Sequence, residues 1–162
     1  MRSPFESHLE AGMSDSLDSQ PPMQSADVEP LAVEAVQLSR RYEYLFENAC
    51  ALNLLLLADA TIVDVNLAGA AMLGFSKAEL LGRSAMDFIA PHHQTLAADM
   101  MRRSFLAEDT PSCAFDIATR TGLKTVLFAP GQHEVMEGGK VAAILVSAIN
   151  ITDQRRAQDA LL

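Results

Sequence analysis

Residues 62–83 read IVDVNLAGAAMLGFSKAELLGR, and the order of signals in this run decides the fold. It opens with alternation: Ile62 and Asp64 share one face of a strand, Val63 and Val65 the other. Asn66 ends the strand and is a good helix N-cap, because its side-chain oxygen can accept an orphan N–H of the first turn. Residues 67–73 then spell a short helix made mostly of small residues, closed by Gly74, which tolerates the left-handed conformation of a helix end. Phe75 is placed to pack back after that cap. Ser76 caps a second short helix, Glu79 three residues on completes a capping box, and Gly82 ends it. The stretch is therefore strand, small helix, turn, smaller helix, turn.

The run VDVNLAGAAMLGFSKAELLGR closely resembles the PAS sensory domains. Their corresponding segment reads as a strand, Asn, and then a string of the form xAxxxxLGYSxEELLGR. The Asn, the Leu-Gly-aromatic-Ser and the Leu-Leu-Gly-Arg all sit at matching mutual spacings here, a far more specific signal than a lone LGF. The resemblance covers about residues 45–156. It implies an α+β fold: a five-stranded antiparallel sheet, short helices across one face, and flanking N- and C-terminal helices.

Composition agrees with a domain of this size. The chain has 162 residues, 49% of them hydrophobic, which suits one core with some spare length. Trp is absent and Met is common, so a core lined by Ala, Leu and Met would be adaptable. The formal charge of −9 argues against nucleic-acid binding, which needs a basic footprint. Cys50 and Cys113 stand too far apart for a metal or redox pair and are expected to be buried and inert. No apolar run approaches the ~20 residues of a membrane span, and the N-terminus has no hydrophobic stretch of signal-peptide type. A soluble, cytoplasmic chain is expected.

Four parts follow in order. Residues 1–29 are polar and acidic, with Arg2 the only Lys or Arg, and read as a disordered tail. Residues 30–49 open with Pro30, which suits the first turn of a helix. Leu31, Ala35, Leu38, Tyr42, Leu45 and Ala49 recur at steps of four and three, a heptad-like stripe. It serves either an amphipathic helix packed on its own domain or a dimerisation helix. The resemblance favours the second, since PAS domains often pair through a helix before the first strand. Residues 50–152 form the PAS core. Residues 153–162 begin a helix whose last residues, Ala160, Leu161 and Leu162, leave apolar groups without an evident partner. That implies a chain cut from a longer protein or one ending in a dimer contact.

Within the core, residues 52–58 are a short strand, and Asp59-Ala60-Thr61 turns into the next. PAS relatives often carry Asp-Gly there, so Ala60 is a departure. Residues 84–90 make a short helical segment ended by Pro91. Residues 92–108 make a longer helix with Leu96, Met100 and Phe105 near one face. Three strands close the domain: residues 112–119, 123–136 and 141–152. Glu137-Gly138-Gly139-Lys140 is a hairpin loop. The last strand is apolar on both faces and is predicted to be central. Pro130-Gly131 interrupts the middle strand where the preceding strand stops pairing, which points to a bulge.

No catalytic constellation stands out, and no enzymatic activity is expected from this chain. Ser84, Ser104 and Ser147 lack a nucleophile-elbow context, and Gly138-Gly139 lies in a hairpin instead of facing a phosphate. The resemblance allows cofactors to be tested in turn. In the light-sensing flavin subclass a Cys after the Leu-Gly-Arg attacks the flavin; Ala85 stands in that register, so cysteinyl-flavin photochemistry is not expected. Haem-binding PAS domains ligate iron through a His at the start of the long helix, four residues before an aliphatic position. His92, with Leu96 four on, falls there, although PAS domains without cofactor also carry a turn histidine at this site. His133 reads as an exposed strand residue.

The residues that the resemblance turns inward are Leu55, Ala70, Leu73, Met86, Phe88, Leu96, Met100, Phe115, Phe128, Ile144 and Val146. Small residues such as Ala70, Ala71 and Ala148 leave room, and the methionines give movable walls for a small apolar ligand. The same side chains could equally fill a core. Asn150-Ile151-Thr152 resembles the Asp-Ile-Thr exit through which PAS domains drive a downstream effector, with Asn150 in the place of the usual Asp. The resemblance implies a sensory or dimerisation module, a homodimer, acting on a histidine kinase or a cyclic-di-nucleotide enzyme in a two-component or related system. A ligand-free interaction domain and a haem gas sensor using His92 are the alternatives.

Overall fold

The computed structural model describes residues 25–162, with side chains at 30–129 and 138–162. The tail reading, where it concerns residues 1–24, lies outside the described residues. The chain divides into two units between Leu38 and Ser39. Helix α1 (Ser25–Asn48) supplies the described part of the first unit and opens the second. It starts five residues earlier than the sequence predicted, so Pro30 lies inside the helix and residues 25–29 are not tail. Asp27 and Glu29 explain the earlier start, because acidic residues near a helix N-terminus interact favourably with its dipole.

The second unit is built on one antiparallel sheet: β1 (Leu52–Leu56), β2 (Ile62–Val65), β3 (Cys113–Thr119), β4 (Gly122–Glu137) and β5 (Lys140–Asn150). The strands lie in the order β2-β1-β5-β4-β3, so β5 is central, as its two-sided apolarity predicted. Its hairpin with β4 turns at Gly138 and Gly139, whose φ values of 56° and 80° suit a two-residue turn with both central residues left-handed. The predicted bulge is present: Ala129 pairs with Ser147 and His133 with Leu145, so β4 carries two extra residues around Pro130-Gly131. The β1–β2 connection also forms, and Ala60 takes φ 66°, the left-handed position that glycine would occupy without cost. Asp59 steadies this turn by accepting the Thr61 N–H at 2.9 Å.

The decisive run folds as its caps dictate. Helix α2 (Leu67–Leu73) is capped by Asn66 and closed by Gly74 at φ 82°. Helix α3 (Lys77–Leu80) has the full Ser76–Glu79 capping box. Backbone at residues 82–85 then runs beside β2, with Ile62 N–H donating to Arg83 O and Ala85 N–H to Ala60 O. On the opposite edge Ala90 N–H donates to Asp116 O. Each outer strand is thus partly covered, which limits edge-to-edge association.

The predicted long helix over 92–108 is divided. Pro91–His93 is a 3₁₀ turn, and α4 (Gln94–Phe105) follows it. Pro91 initiates the turn, its fixed φ matching a first helical position. The segment 84–90 contains a 3₁₀ turn, Ala85–Phe88. Helix α5 (Thr152–Ala160) closes the chain. Leu52, Ile62, Leu80, Ile117 and Ile144 are almost wholly buried in one cluster, each worth about 1.5–3 kcal/mol of transfer free energy. Cys50 is exposed and Cys113 half-buried, against the expectation of two buried thiols, because α1 ends at Asn48 and leaves Cys50 in a surface bend.

Candidate functional site

Alternation along β1, β3, β4 and β5 sends Leu54, Phe115, Ile117, Val126, Ile144 and Val146 to one face of the sheet. Helix α4 and the 3₁₀ turn Ala85–Phe88 bring side chains over that face. The layers do not close completely, and a cavity of about 70 Å³ remains. Leu52, Leu54, Leu56, Phe115, Ile117, Phe128, Ile144 and Val146 line it from the sheet. Ala85, Met86 and Phe88 contribute from the 3₁₀ turn, Ala97, Met100, Met101 and Ser104 from α4. Ser104 has the only polar side chain among the described lining residues. The space exists because Ala60, Ala85, Ala97 and Ser104 are small where larger residues would have met.

Of the residues read as inward-facing, Leu73, Met86, Phe88, Met100, Phe115, Phe128, Ile144 and Val146 lie around this cavity. Leu55, Ala70 and Leu96 do not. Leu55 lies on the other face of β1, because Leu52, Leu54 and Leu56 point inward. The missed signal was Asn53, which shares Leu55's face and accepts the Ser147 hydroxyl at 2.6 Å. Ala70 packs against the core from α2 without reaching the space, and Ala148 is buried in the core but is not part of the lining. Ala71 is exposed. Leu96 is 45% exposed, since α4 turns Ala97, Met100 and Ser104 inward at spacings of three and four.

Haem ligation through His92 does not fit. His92 stands outside the cavity lining, and its Nε2 lies 3.0 Å from Asp116 Oδ2. A cavity of 70 Å³ is also smaller than the ~150 Å³ that admits benzene in an engineered core, far below a macrocycle. Ala85 does line the cavity, so the register used for the flavin comparison places an inert methyl against it. The side chain of His133 lies outside the described residues.

A second group of side chains joins the start of α4 to the start of α5. His93 Nδ1 accepts the Asp116 backbone N–H at 3.0 Å, and Asp116 Oδ1 accepts the Thr125 hydroxyl at 2.8 Å. Burial pushes the Asp116 carboxyl up, but the bonds from Thr125 and His92 outweigh it, and the group rests below the ordinary carboxylate range. Thr125 N–H in turn donates to Thr152 Oγ1 at 3.0 Å, and Ile151 N–H to Thr125 O at 2.9 Å. Asn150 Oδ1 accepts both the Thr152 N–H at 3.0 Å and its hydroxyl at 2.5 Å. The exit residues Asn150, Ile151 and Thr152 are therefore bonded to β4 through neutral groups. Sequence reading singled out the exit and His92 separately; their connection runs through Asp116 and Thr125, which carried no motif.

The stripe on α1 is largely exposed. Leu31, Leu38, Tyr42 and Leu45 each show half or more of their surface, and Ala35 is exposed as well. Phe46 turns the other way and is buried. Among the described residues no helix is long and apolar enough to cross a membrane.

No family model matches the chain, and no curated protein matches its sequence. Solved structures do match in three dimensions. The PAS domain of an HTR-like protein from Haloarcula marismortui aligns at 22% identity and a TM-score of 0.57, covering 76% of this chain and 99% of that one. The PAS domain of the quorum-sensing receptor RpfR from Cronobacter turicensis, in complex with BDSF, aligns at 18% identity and 0.53, covering 65% and 97%. A sensory box histidine kinase/response regulator from Burkholderia thailandensis aligns at 18% and 0.58, covering 75% and 92%. At these identities the likeness is one of fold.

Proposed function

Because the chain has the PAS fold, we propose that it is a sensory module, without catalytic activity of its own, that answers a small apolar ligand. The observation that carries this reading is the cavity between the sheet and α4, whose described lining is apolar apart from Ser104. Such a lining has no charged or amide group with which to hold a polar metabolite, so affinity there would come from burial of apolar surface. The Cronobacter domain, solved with C12:0 as well as with BDSF, supports the same class. At about 70 Å³ the cavity must widen to admit a chain of that kind. Met86, Met100 and Met101 are the flexible walls that allow it. Movement of α4 reaches its N-terminal turn, and from there Asp116, Thr125 and Thr152 lead to α5. A ligand acts on the output by its differential affinity for the two arrangements. The effector would be a histidine kinase or a cyclic-di-nucleotide enzyme in the same signalling protein, and the setting cytoplasmic.

The test is native mass spectrometry of the purified chain beside its absorption spectrum, followed by thermal shifts with fatty acids of six to fourteen carbons. Added mass without a visible band, or a raised Tm lost in Ala97→Leu, is expected. Absence of both would overturn the ligand reading. One observation favours a second reading, a pairing domain without ligand: the exposed apolar stripe Leu31, Leu38, Tyr42 and Leu45 on α1. Sedimentation of the wild type against Leu38→Glu tests it, with a dimer lost in the variant as the supporting result and a monomeric wild type as the refuting one.

A further inference from the structure

We propose that His92, His93 and Asp116 form a binding site for one divalent cation of the zinc, nickel or copper class. The 3₁₀ turn Pro91–His93 places two consecutive imidazoles side by side, their centroids 4.2 Å apart. Asp116 reaches them from β3, its Oδ2 3.0 Å from His92 Nε2 and 4.0 Å from His93 Nδ1. One ligand atom from each residue lies within 4.8 Å of the others. Around a tetrahedral cation with bonds near 2.0–2.1 Å, neighbouring ligand atoms stand about 3.3 Å apart. The His92–Asp116 separation is already near that value, and the longer ones, 4.0 Å to His93 and at most 4.8 Å within the group, close on an ion by shifts of about 0.7–1.5 Å.

The surroundings favour ligation. Because His93 Nδ1 accepts the Asp116 backbone N–H, that nitrogen is unprotonated, and its lone pair becomes a ligand once that bond is given up. The His93 ring is held edge-on against Phe115, with centroids 5.7 Å apart. Thr125 holds Asp116 Oδ1 and leaves Oδ2 toward the imidazoles; outer hydrogen bonds of this kind orient metal-binding carboxylates. Two imidazole nitrogens and one carboxylate suit zinc, nickel or copper, whereas magnesium and calcium take oxygen ligands.

His92 must present a bare Nε2, so its proton moves to Nδ1 in the neutral ring, or leaves to solvent from the imidazolium. His93 must exchange its hydrogen bond for the cation. Loss of that bond weakens binding on the order of 10- to 100-fold relative to a site with no such competitor. The half-open position of His92 leaves the remaining coordination places to water. A cation that draws Asp116 toward the histidines also acts on Thr125, whose backbone holds Thr152 and Ile151 at the start of α5. This site is separate from the apolar cavity and does not depend on what binds there.

The experiment titrates the full chain, stripped with chelator, with Zn²⁺ in competition with a chromophoric chelator, and follows Thr125 and Thr152 amide resonances in parallel. One Zn²⁺ per chain in the micromolar range is expected, weakened at least tenfold in both His92→Ala and Asp116→Asn and unchanged in His133→Ala. Shifts at Thr125 and Thr152 should follow the same saturation curve, and excess Mg²⁺ should not compete. His92 is exposed, so His92→Ala keeps the fold and decides the matter even if Asp116→Asn unfolds. Zinc binding that is unaffected by His92→Ala, abolished by His133→Ala, or absent up to millimolar Zn²⁺ overturns the proposal.

Discussion

Replacing Asn66 should be among the costliest single changes in this protein. Its side chain is fully buried at the junction of three segments. Oδ1 accepts the Gly69 N–H, the cap of α2, and the Asn53 N–H of β1, both at 2.9 Å. Nδ2 donates to Ala51 O at 2.8 Å and to Ala49 O at 3.3 Å. In Asn66→Ala the lost cap costs about 1 kcal/mol. The Asn53 N–H, left without a partner in a buried strand, costs about 1–3 kcal/mol more, and the abandoned Ala51 carbonyl adds to it. A total of about 3–5 kcal/mol is expected, a large share of the ~5–15 kcal/mol that holds a domain together. Urea unfolding should register it as a midpoint lower by about 2 M at an unchanged slope. Asn66→Asp sharpens the test. It keeps both acceptor bonds but turns an anionic oxygen on the Ala51 and Ala49 carbonyls, which together with burial raises the pKa of the introduced carboxyl. A carboxyl with a raised folded pKa is destabilising when ionised and recovers as pH falls toward that pKa. The variant should therefore unfold at higher urea at pH 5 than at pH 8. A loss below ~1 kcal/mol in Asn66→Ala, or a higher midpoint at pH 8 in Asn66→Asp, would refute the reasoning.

Other residues give independent checks. Gly69→Ala should destabilise despite alanine's advantage of ~1 kcal/mol in a helix. The new methyl would stand 2.9 Å from Val65 Cγ2 and 3.1 Å from Leu52 Cγ, and overpacking of that kind costs about 1–3 kcal/mol; a raised Tm would contradict the close approach. Ala97→Leu places its side chain in the apolar cavity and should leave stability within about 1.5 kcal/mol while blocking any ligand, checked by urea midpoint and ligand-induced thermal shift. Lys77 is hydrogen-bonded by Asp64 and by Glu47, with ion-pair distances of 2.8 Å and 2.5 Å, and its pKa is raised above 10.5 by those bonds. Its contribution is present below the unfolded pKa and fades as pH rises through the folded value. Because the group is partly exposed, the effect is at most about 1 kcal/mol. Wild type should lose its advantage over Lys77→Met as pH rises above the ordinary lysine range, measured by urea unfolding; a constant difference would remove Lys77 from the account.

The fold was legible because its signals are local. Asn66, Gly74, Ser76 with Glu79, and Gly82 each act within four residues, so reading them in order gives the strand and both helices before any packing is considered. The two-sided apolarity of β5 gave its central place, and Pro130-Gly131 its bulge, for the same reason. The start of α1 was missed because Pro30 resembles a beginning and the acidic turn before it resembles a tail.

The candidate sites depended on distance along the chain. The resemblance turns Leu55 and Leu96 inward, yet the phase of a strand and the rotation of a helix are set by what they pack against. Ala97 and Ser104 line the cavity because they are small, a property that marks an inner wall only once the sheet opposite is in place. Asp116 and Thr125 belong to no motif; they matter because antiparallel pairing of β3 with β4 brings them side by side, between His92 and Thr152. Caps, turns and periodicity are short-range, and the sequence by itself determined those. Which faces meet, how much space they leave and which polar groups join across the sheet are long-range, and only the tertiary structure decided them.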